Sequence, residues 1–259
     1  MSTRTMAHAG TFYPADSAEI TRFFKTFEAA QPNDPAHTPR AVIVPHAGYI
    51  YSGFTAESAY RCFKNSHAKR AIVIGPSHRV AYRGMSVSRF ESFETPLGAL
   101  QIDGEYADQI ISDFGLSFDP QMHREHSTEV QMPFIKYFAP QLQVIEMVYG
   151  DFSPETLGGI IDVLLKDEEN LIVISTDLSH FYTLEQANQL DNVCLNAIKN
   201  EDPALLHQGC EACGKIGVEG MLIAAKAHQL NAELLDYRTS ADVSGDTSNV
   251  VGYISALFY

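Results

Sequence analysis

Short runs of β-branched and aliphatic residues recur along the chain, and turn residues bound each of them. Runs of this length and composition are typical of buried strands. The pattern predicts strands at residues 41–44, 71–75, 142–148, 171–175 and 249–258. The first of these reads Ala-Val-Ile-Val and stops at Pro45, which has no N–H to donate to a neighbouring strand.

Helical patterns separate most of these runs. In residues 18–30, the apolar side chains of Ile20, Phe23, Phe24 and Phe27 follow the 3.6-residue period of an amphipathic helix. Similar patterns predict helices at residues 54–63, 105–114, 155–165, 185–198 and 218–229. This alternation predicts an α/β fold, a single domain over residues 1–259 with a largely parallel or mixed sheet covered by helices on both faces. The proline-rich stretch 29–40 is expected to be a surface loop between the first helix and the first strand.

Three of the predicted strands are followed by a histidine within a few residues. His46 follows the first run in PHAGY, His78 follows the second in GPSH, and Asp177 and His180 follow the fourth in TDLSH. A lone histidine beside a strand is more often a hydrogen-bonded structural residue than a ligand. Parallel sheets, however, bind ligands beyond the carboxyl ends of their strands, so the repetition predicts one shared crevice. Histidine is the commonest side-chain ligand of transition metals and an acid or base near neutral pH.

A fourth polar cluster lies in MHREHSTEVQMPF, which holds His123, Glu125, His126 and Glu129. Thr128 and Gln131 have capping-box spacing and indicate a helix that starts near Thr128, whereas Pro133 indicates a later start. In either case His126 lies at or just before the helix, where Glu125 and Glu129 are suited to fix its tautomer. His123 is expected to be an exposed loop residue.

Composition narrows the classes of partner and site. The 259 residues carry a formal net charge of −14, and an acidic surface repels phosphate backbones, so nucleic acid is not expected as a partner. No segment approaches the roughly 18 apolar residues of a membrane span. The N-terminus lacks the apolar stretch of a signal peptide, so a cytoplasmic protein is expected. The nucleotide-binding glycine motifs, H-E-x-x-H and the G-x-S-x-G nucleophile elbow are absent from the sequence.

The four cysteines are Cys62, Cys194, Cys210 and Cys213. Cys210 and Cys213 have C-x-x-C spacing, but a zinc site of this type needs a second pair, and a thioredoxin-type motif follows an early strand. They are therefore expected to be structural or incidental thiols, and no disulfide scaffold is indicated.

Seven motifs together resemble the Memo-like proteins, which appear in bacteria and archaea as component B of the AmmeMemoRadiSam system. In order over about residues 6–258, they are FYPAD, PHAGYIYSG, GPSH, EHSTEVQMPF, STDLSH, CGKIG and DVSGDTSNVVGY. The resemblance implies the fold of class III extradiol dioxygenases of the LigB type and a pocket that binds copper or iron. It implies that His46 and His78 hold the metal, and that His126, Asp177 and His180 line the same pocket.

The resemblance also implies a third metal ligand, a cysteine near the C-terminus in animal members. The matching position in this chain is Val243, which cannot bind a metal, and Cys213 belongs to a different motif and is not expected to replace it. Asp242, Asp246, Asp177 and His180 are the alternatives. Without a thiolate, iron(II) is favoured over copper(I), with zinc as a further alternative.

Three functions remain open at this point. The first is a metal-dependent, dioxygenase-like oxidoreductase, in which His126, Asp177 and His180 supply a third ligand or move protons. The second is a metal-dependent hydrolase with Asp177 or His180 as the base. The third is a non-catalytic module that binds an unknown small molecule or peptide, or the radical-SAM and AMMECR-type partners of the system. The fold alone establishes none of these reactions.

Overall fold

The computed structural model of the protein describes residues 2–31 and 36–259. Within them the strands are Thr3–Arg4 (β1), Ala41–Val44 (β2), Arg70–Pro76 (β3), Met85–Val87 (β4), Ser92–Phe93 (β5), Leu100–Gln101 (β6), Gln143–Tyr149 (β7), Asn170–Ser175 (β8), His180–Tyr182 (β9), Ala232–Thr239 (β10) and Val250–Phe258 (β11). The α-helices are Ser17–Ala30 (α1), Tyr49–Tyr60 (α2), Gly104–Phe114 (α3), His126–Glu129 (α4), Met132–Phe138 (α5), Pro154–Leu165 (α6), Leu184–Lys199 (α7), Lys215–His228 (α8) and Ala241–Ser244 (α9). Short 3-10 helices span Arg61–Asn65 and Pro203–Gln208.

The central sheet is mixed. Its strand order is β10-β11-β2-β8-β3-β7-β4, and β9 pairs with β11 outside this path. The four inner strands β2, β8, β3 and β7 run parallel, whereas β10, β11 and β4 pair antiparallel with their neighbours. A smaller sheet contains β1, β5 and β6. The expected α/β architecture with a largely parallel or mixed sheet is therefore confirmed.

The core lies on both faces of this sheet because successive strand residues point in opposite directions. In β2, Ala41 and Ile43 belong to one buried cluster, and Val42 and Val44 belong to the other. Helices α6 and α8 cover the first face, and α1, α2 and α5 cover the second. Strands buried on both faces explain why the sequence shows continuous apolar runs rather than alternation.

The five predicted strands agree with the structure to within one residue at each end. The edge strands β4 and β10 of the central sheet, and the short strands β1, β5, β6 and β9, were not predicted, since they lack such apolar runs. Helix α2 begins at Tyr49 rather than at residue 54, so the predicted start was wrong. Helix α1 continues to Ala30, so the loop expected from residue 29 starts later, and part of that loop lies outside the described residues.

The capping-box spacing predicted a helix that starts near Thr128, and Pro133 predicted a later start. Each prediction was partly right. Two short helices occur, α4 from His126 and α5 from Met132, and Pro133 occupies the first turn of α5. Thr128 does not cap a helix, because its hydroxyl donates to Glu146 at 2.6 Å. The cap of α4 is Glu125, whose carboxylate accepts the first backbone N–H groups.

Cys194 and Cys210 form a disulfide that joins α7 to the segment before α8, whereas Cys213 keeps a free thiol. The expectation of an unpaired thiol at Cys210 was wrong. The two cysteines are 16 residues apart in sequence, but the fold brings their Cα atoms to 5.0 Å, well within the range of a disulfide.

None of the helices in the described residues is long and apolar enough to cross a membrane.

Candidate metal centre

The ends of β2, β8 and β3 lie side by side and bring three predicted residues together. Strand β8 pairs in parallel with β2 on one side and with β3 on the other. His46, Asp177 and His78 each come two residues after the end of their strand. The ring centroids of His46 and His78 are 5.1 Å apart, and His126 lies 5.4 Å from His46 and 4.7 Å from His78.

His46 is buried and is held from two sides. Its backbone N–H donates to Oδ1 of Asp177 at 2.8 Å, and its ring Nδ1 lies 2.8 Å from Oγ of Ser175. Burial lowers the pKa of His46 well below its usual value, and the neighbouring His78 and His126 lower it further. The ring is therefore a neutral imidazole at physiological pH, the form that binds metals.

Hydrogen bonding around Ser175 assigns the tautomer of His46. The Ser175 hydroxyl donates its one proton to the carbonyl of Ser127, and Nε2 of Gln131 donates to Ser175 Oγ at 2.9 Å. The orientation of the Gln131 amide is set by Tyr60, whose hydroxyl donates to Oε1. Because Ser175 Oγ has no proton left, Nδ1–H of His46 must donate to it. The lone pair of His46 is therefore on Nε2, which faces away from Ser175.

Cys213 occupies the space in front of that lone pair. Its Sγ lies 3.3 Å from Nε2 of His46 and accepts the backbone N–H of Asp177 at 3.3 Å. Donor atoms of His46, His78 and Cys213 lie within 4.8 Å of one another. Cys213 was not expected to replace the third ligand, yet its Sγ lies in one group with donor atoms of the two histidines. The fold brings it there because its backbone N–H donates to the carbonyl of Asp177, which anchors the start of α8 at the end of β8.

Val243 and its acidic neighbours do not join this group. Val243 lies on α9 and is 48% exposed. The carboxylate of Asp242 accepts the backbone N–H of Thr239, and that of Asp246 accepts from Ser248. Among the described residues, neither aspartate belongs to a cluster of donors close enough to share an ion.

The donor set of His46, His78 and Cys213 fits a transition metal. Tetrahedral zinc, for example, places a thiolate sulfur and an imidazole nitrogen about 3.5 Å apart, close to the 3.3 Å between Cys213 and His46. Burial, and then the charge of Asp177, raise the pKa of the Cys213 thiol to about 12. His46 Nε2 at 3.3 Å and the carbonyl of Asp177 at 3.6 Å are the acceptors within reach of the S–H, and a bound cation would take the place of that proton.

Glu125 positions the two outer histidines. Its carboxylate accepts the backbone N–H of His78 at 2.6 Å and of His126 at 2.8 Å. Its Oε1 also lies 3.3 Å from Nδ1 of His78. Nδ1 of His126 lies 2.8 Å from the same oxygen, although the ring is not angled for a hydrogen bond. Burial alone would raise the pKa of Glu125, but its contacts with His126 and His78 outweigh burial and hold this pKa well below its usual range.

Asp177 and His180 lie beside the three donors rather than among them. Oδ2 of Asp177 is 4.0 Å from Nε2 of His46, and burial raises the pKa of this carboxyl. His180 is half-buried at the start of β9, where it pairs with Val251. The catalytic roles expected for His126, Asp177 and His180 stay predictions.

One acidic residue of the EHS region, Glu129, and one histidine, His123, serve the fold instead. His123 is fully buried rather than exposed as expected, with Nδ1 at 2.8 Å from Glu146 and Nε2 at 2.9 Å from Ser86. Glu129 was expected to orient His126, but its carboxylate accepts the backbone N–H of His8 and pairs with Arg4. It thereby holds the N-terminal segment against α4.

The N-terminal segment completes the pocket wall, which sequence reasoning missed. The ring of Phe12 lies 4.6 Å from that of His126, and the ring of His8 lies 5.7 Å from it. Phe12 stands in the motif FYPAD, so the motif itself was the available signal.

The fold and pocket define an α/β protein with a site of histidine and cysteine at the carboxyl edge of a parallel sheet core. The family model described as Memo-like protein matches residues 4–257, and the chain belongs to that family. A MEMO1 family protein of Methanobrevibacter smithii is 36% identical over 282 residues, covering 98% of this chain and 99% of the relative. MEMO1 family proteins of Aquifex aeolicus and Thermotoga petrophila are each 32% identical, and the alignments cover 99% or more of both chains.

Proposed function

We propose that this Memo-like protein is a metal-dependent oxidoreductase whose metal is held by His46, His78 and Cys213. The observation that carries the proposal is the convergence of three donor atoms within 4.8 Å of one another. One of these donors, Nε2 of His46, has its lone pair directed into the group by the hydrogen bonds of Ser175. A buried imidazole prepared in this way is suited to metal binding.

The thiolate changes the expected choice of metal. Iron(II) was ranked above copper because no thiolate was expected, and Cys213 removes that reason. Two imidazoles and a thiolate suit copper, iron and zinc, and the softness of sulfur favours copper(I) among them. For oxidoreductase chemistry we retain iron and copper, the two that change oxidation state.

The surrounding side chains suit proton handling. A bound metal would supply redox or Lewis-acid chemistry at this position. Asp177, with its raised pKa, holds a proton close to His46 at higher pH than an ordinary carboxyl does. His126 lies on the other side, against His78, and is only partly buried. These two groups are the ones we assign to proton transfer, and His180 is assigned to the rim of the pocket.

Metal analysis and anaerobic metal titration of the full chain test the proposal. Wild-type protein should bind one metal ion per chain, and His46→Ala, His78→Ala and Cys213→Ser should each lose it. His207→Ala is a matched control, because His207 is exposed and paired with Glu219 away from the pocket. Metal bound equally by all variants would refute the site. Oxygen uptake by the iron-loaded or copper-loaded protein, lost in the same variants, would support the oxidoreductase.

A metal-dependent hydrolase is the second candidate. The same three donors suit zinc, and Asp177 lies 4.0 Å from His46 Nε2, a position suited to a base. Zinc-dependent turnover without oxygen uptake would favour this candidate. A purely non-catalytic module, the third function considered above, gains no support from a missing ligand, because Cys213 supplies the thiol. The relation to LigB-type dioxygenases and the radical-SAM and AMMECR-type partners rest on the resemblance and stay predictions.

A further inference from the structure

A cleft of about 740 Å³ adjoins the proposed metal centre, and none of the three proposed metal ligands lines it. Phe12 and His8 line it, and the rings of both contact His126. The ring of His126 in turn contacts those of His46 and His78. One imidazole therefore separates the wall of the cleft from the two metal histidines.

Two arginines flank this cleft. Arg79 directly follows His78, and Arg124 directly precedes Glu125, so each is attached to a segment that builds the metal centre. Both are exposed, and neither guanidinium forms an ion pair or hydrogen bond with any residue in the described ranges. By contrast, Arg83 pairs with Asp151 and Arg89 pairs with Asp108.

The charge of the cleft differs in sign from that of the whole chain. The formal net charge is −14, yet no Asp or Glu is found among the described residues that line the cleft. His8 adds no positive charge, since burial lowers its pKa. Arg79 and Arg124 are therefore the source of a local positive potential, and such a potential attracts anions into a cleft.

We propose that this cleft binds the anionic group of the substrate, a carboxylate or a phosphate, through Arg79 and Arg124. A guanidinium is planar, always charged and offers paired N–H donors that match both kinds of anion. The remainder of the substrate would then extend past His126 to the metal. This choice of substrate class rests on the proposed function of the metal centre, whereas anion binding in the cleft does not.

Isothermal titration calorimetry of the chelator-treated full chain tests the proposal, with inorganic phosphate and malonate titrated separately at low ionic strength. Removing the metal prevents either anion from binding to it directly. We expect saturable binding of at least one anion, one per chain, weakened about tenfold or more by Arg79→Ala and by Arg124→Ala. Both residues are exposed, so the variants should fold. Arg83→Ala and Arg89→Ala are matched controls that remove the same charge elsewhere and should bind like wild type.

The outcomes separate this site from the metal centre. Binding of phosphate alone or of malonate alone supports the site and identifies its anion. His46→Ala should lose the metal and retain anion binding, and that result would keep the cleft assignment even if the oxidoreductase proposal fails. The assignment is overturned if neither anion binds saturably, or if Arg83→Ala weakens binding as much as Arg79→Ala does.

Discussion

His46 and His123 are both buried beside β-strands, yet their ring nitrogens have different kinds of partner. Both ring nitrogens of His123 are occupied, one by Glu146 and the other by Ser86. In His46 only Nδ1 has an oxygen partner, whereas Nε2 faces the thiol of Cys213 at 3.3 Å, whose proton a bound cation would replace. The contrast shows that burial does not distinguish a structural histidine from a proposed metal ligand. The distinguishing feature is whether one ring nitrogen faces another potential metal ligand instead of a carboxylate or hydroxyl.

The largest expected effect is on stability and comes from His123→Ala. Both His123 and Glu146 are fully buried, so removal of the imidazole leaves an unpaired carboxylate in the core. We expect the free energy of unfolding to fall by about 3–5 kcal/mol. Urea unfolding followed by circular dichroism measures it. His207→Ala, at an exposed pair, should change the free energy by less than about 1 kcal/mol. A loss at His123 no larger than at His207 would contradict the structural role.

Cys213→Ser should leave the fold intact and remove the metal. A serine hydroxyl is a poor substitute for a thiolate, so we expect metal affinity to fall about a hundredfold or more. Competition with a chromophoric chelator under anaerobic conditions measures the affinity. The Val243→Cys variant is a useful partner, since it adds a thiol at the exposed α9 position. If Val243→Cys restores binding to Cys213→Ser, the third ligand has been assigned to the wrong position.

Ser175→Ala tests the assigned tautomer. Without the hydroxyl acceptor, Nδ1–H of His46 loses its partner, and either nitrogen can carry the proton. We expect metal affinity to fall about 10–100-fold, the usual effect of removing the partner of a ligand histidine. Ser255→Ala is the matched control, because Ser255 is also fully buried and its hydroxyl has no hydrogen-bond partner among the described residues. Equal affinity for Ser175→Ala and Ser255→Ala would remove the tautomer argument.

The smallest expected effect is on how the free energy of unfolding depends on pH in the acid range. Burial alone would raise the pKa of Glu146, but His123 outweighs burial and holds it below its usual 4.5. A carboxyl with a lowered pKa stabilises the fold above its unfolded-state pKa, and this contribution is lost as the pH falls through its folded-state pKa. Glu146→Gln keeps the shape and loses the charge. The difference in unfolding free energy between wild type and this variant should therefore shrink below pH 4.5, and a constant difference would contradict the pKa direction.

Much of the fold and part of the site could be predicted from the sequence. Apolar runs buried on both faces predict the inner strands, and parallel neighbours bring His46, His78 and Asp177 to one edge. The position of Cys213 could not be predicted in this way, because it depends on how α8 packs at the end of β8. Likewise, His123 and His126 share one short segment, and only tertiary contacts bury the first and leave the second at the pocket.

The hydroxyl of Ser175, at the end of β8, links two other parts of the chain that are distant in sequence. It contacts His46 after β2, the carbonyl of Ser127 in α4, and Gln131 beyond that helix. These partners meet only after the sheet has formed and α4 has docked on it. In a nascent chain, His46 therefore has no fixed proton and Cys213 is not beside it. If the proposed site holds a metal, the ion would therefore bind after folding, to a finished protein rather than to a nascent chain.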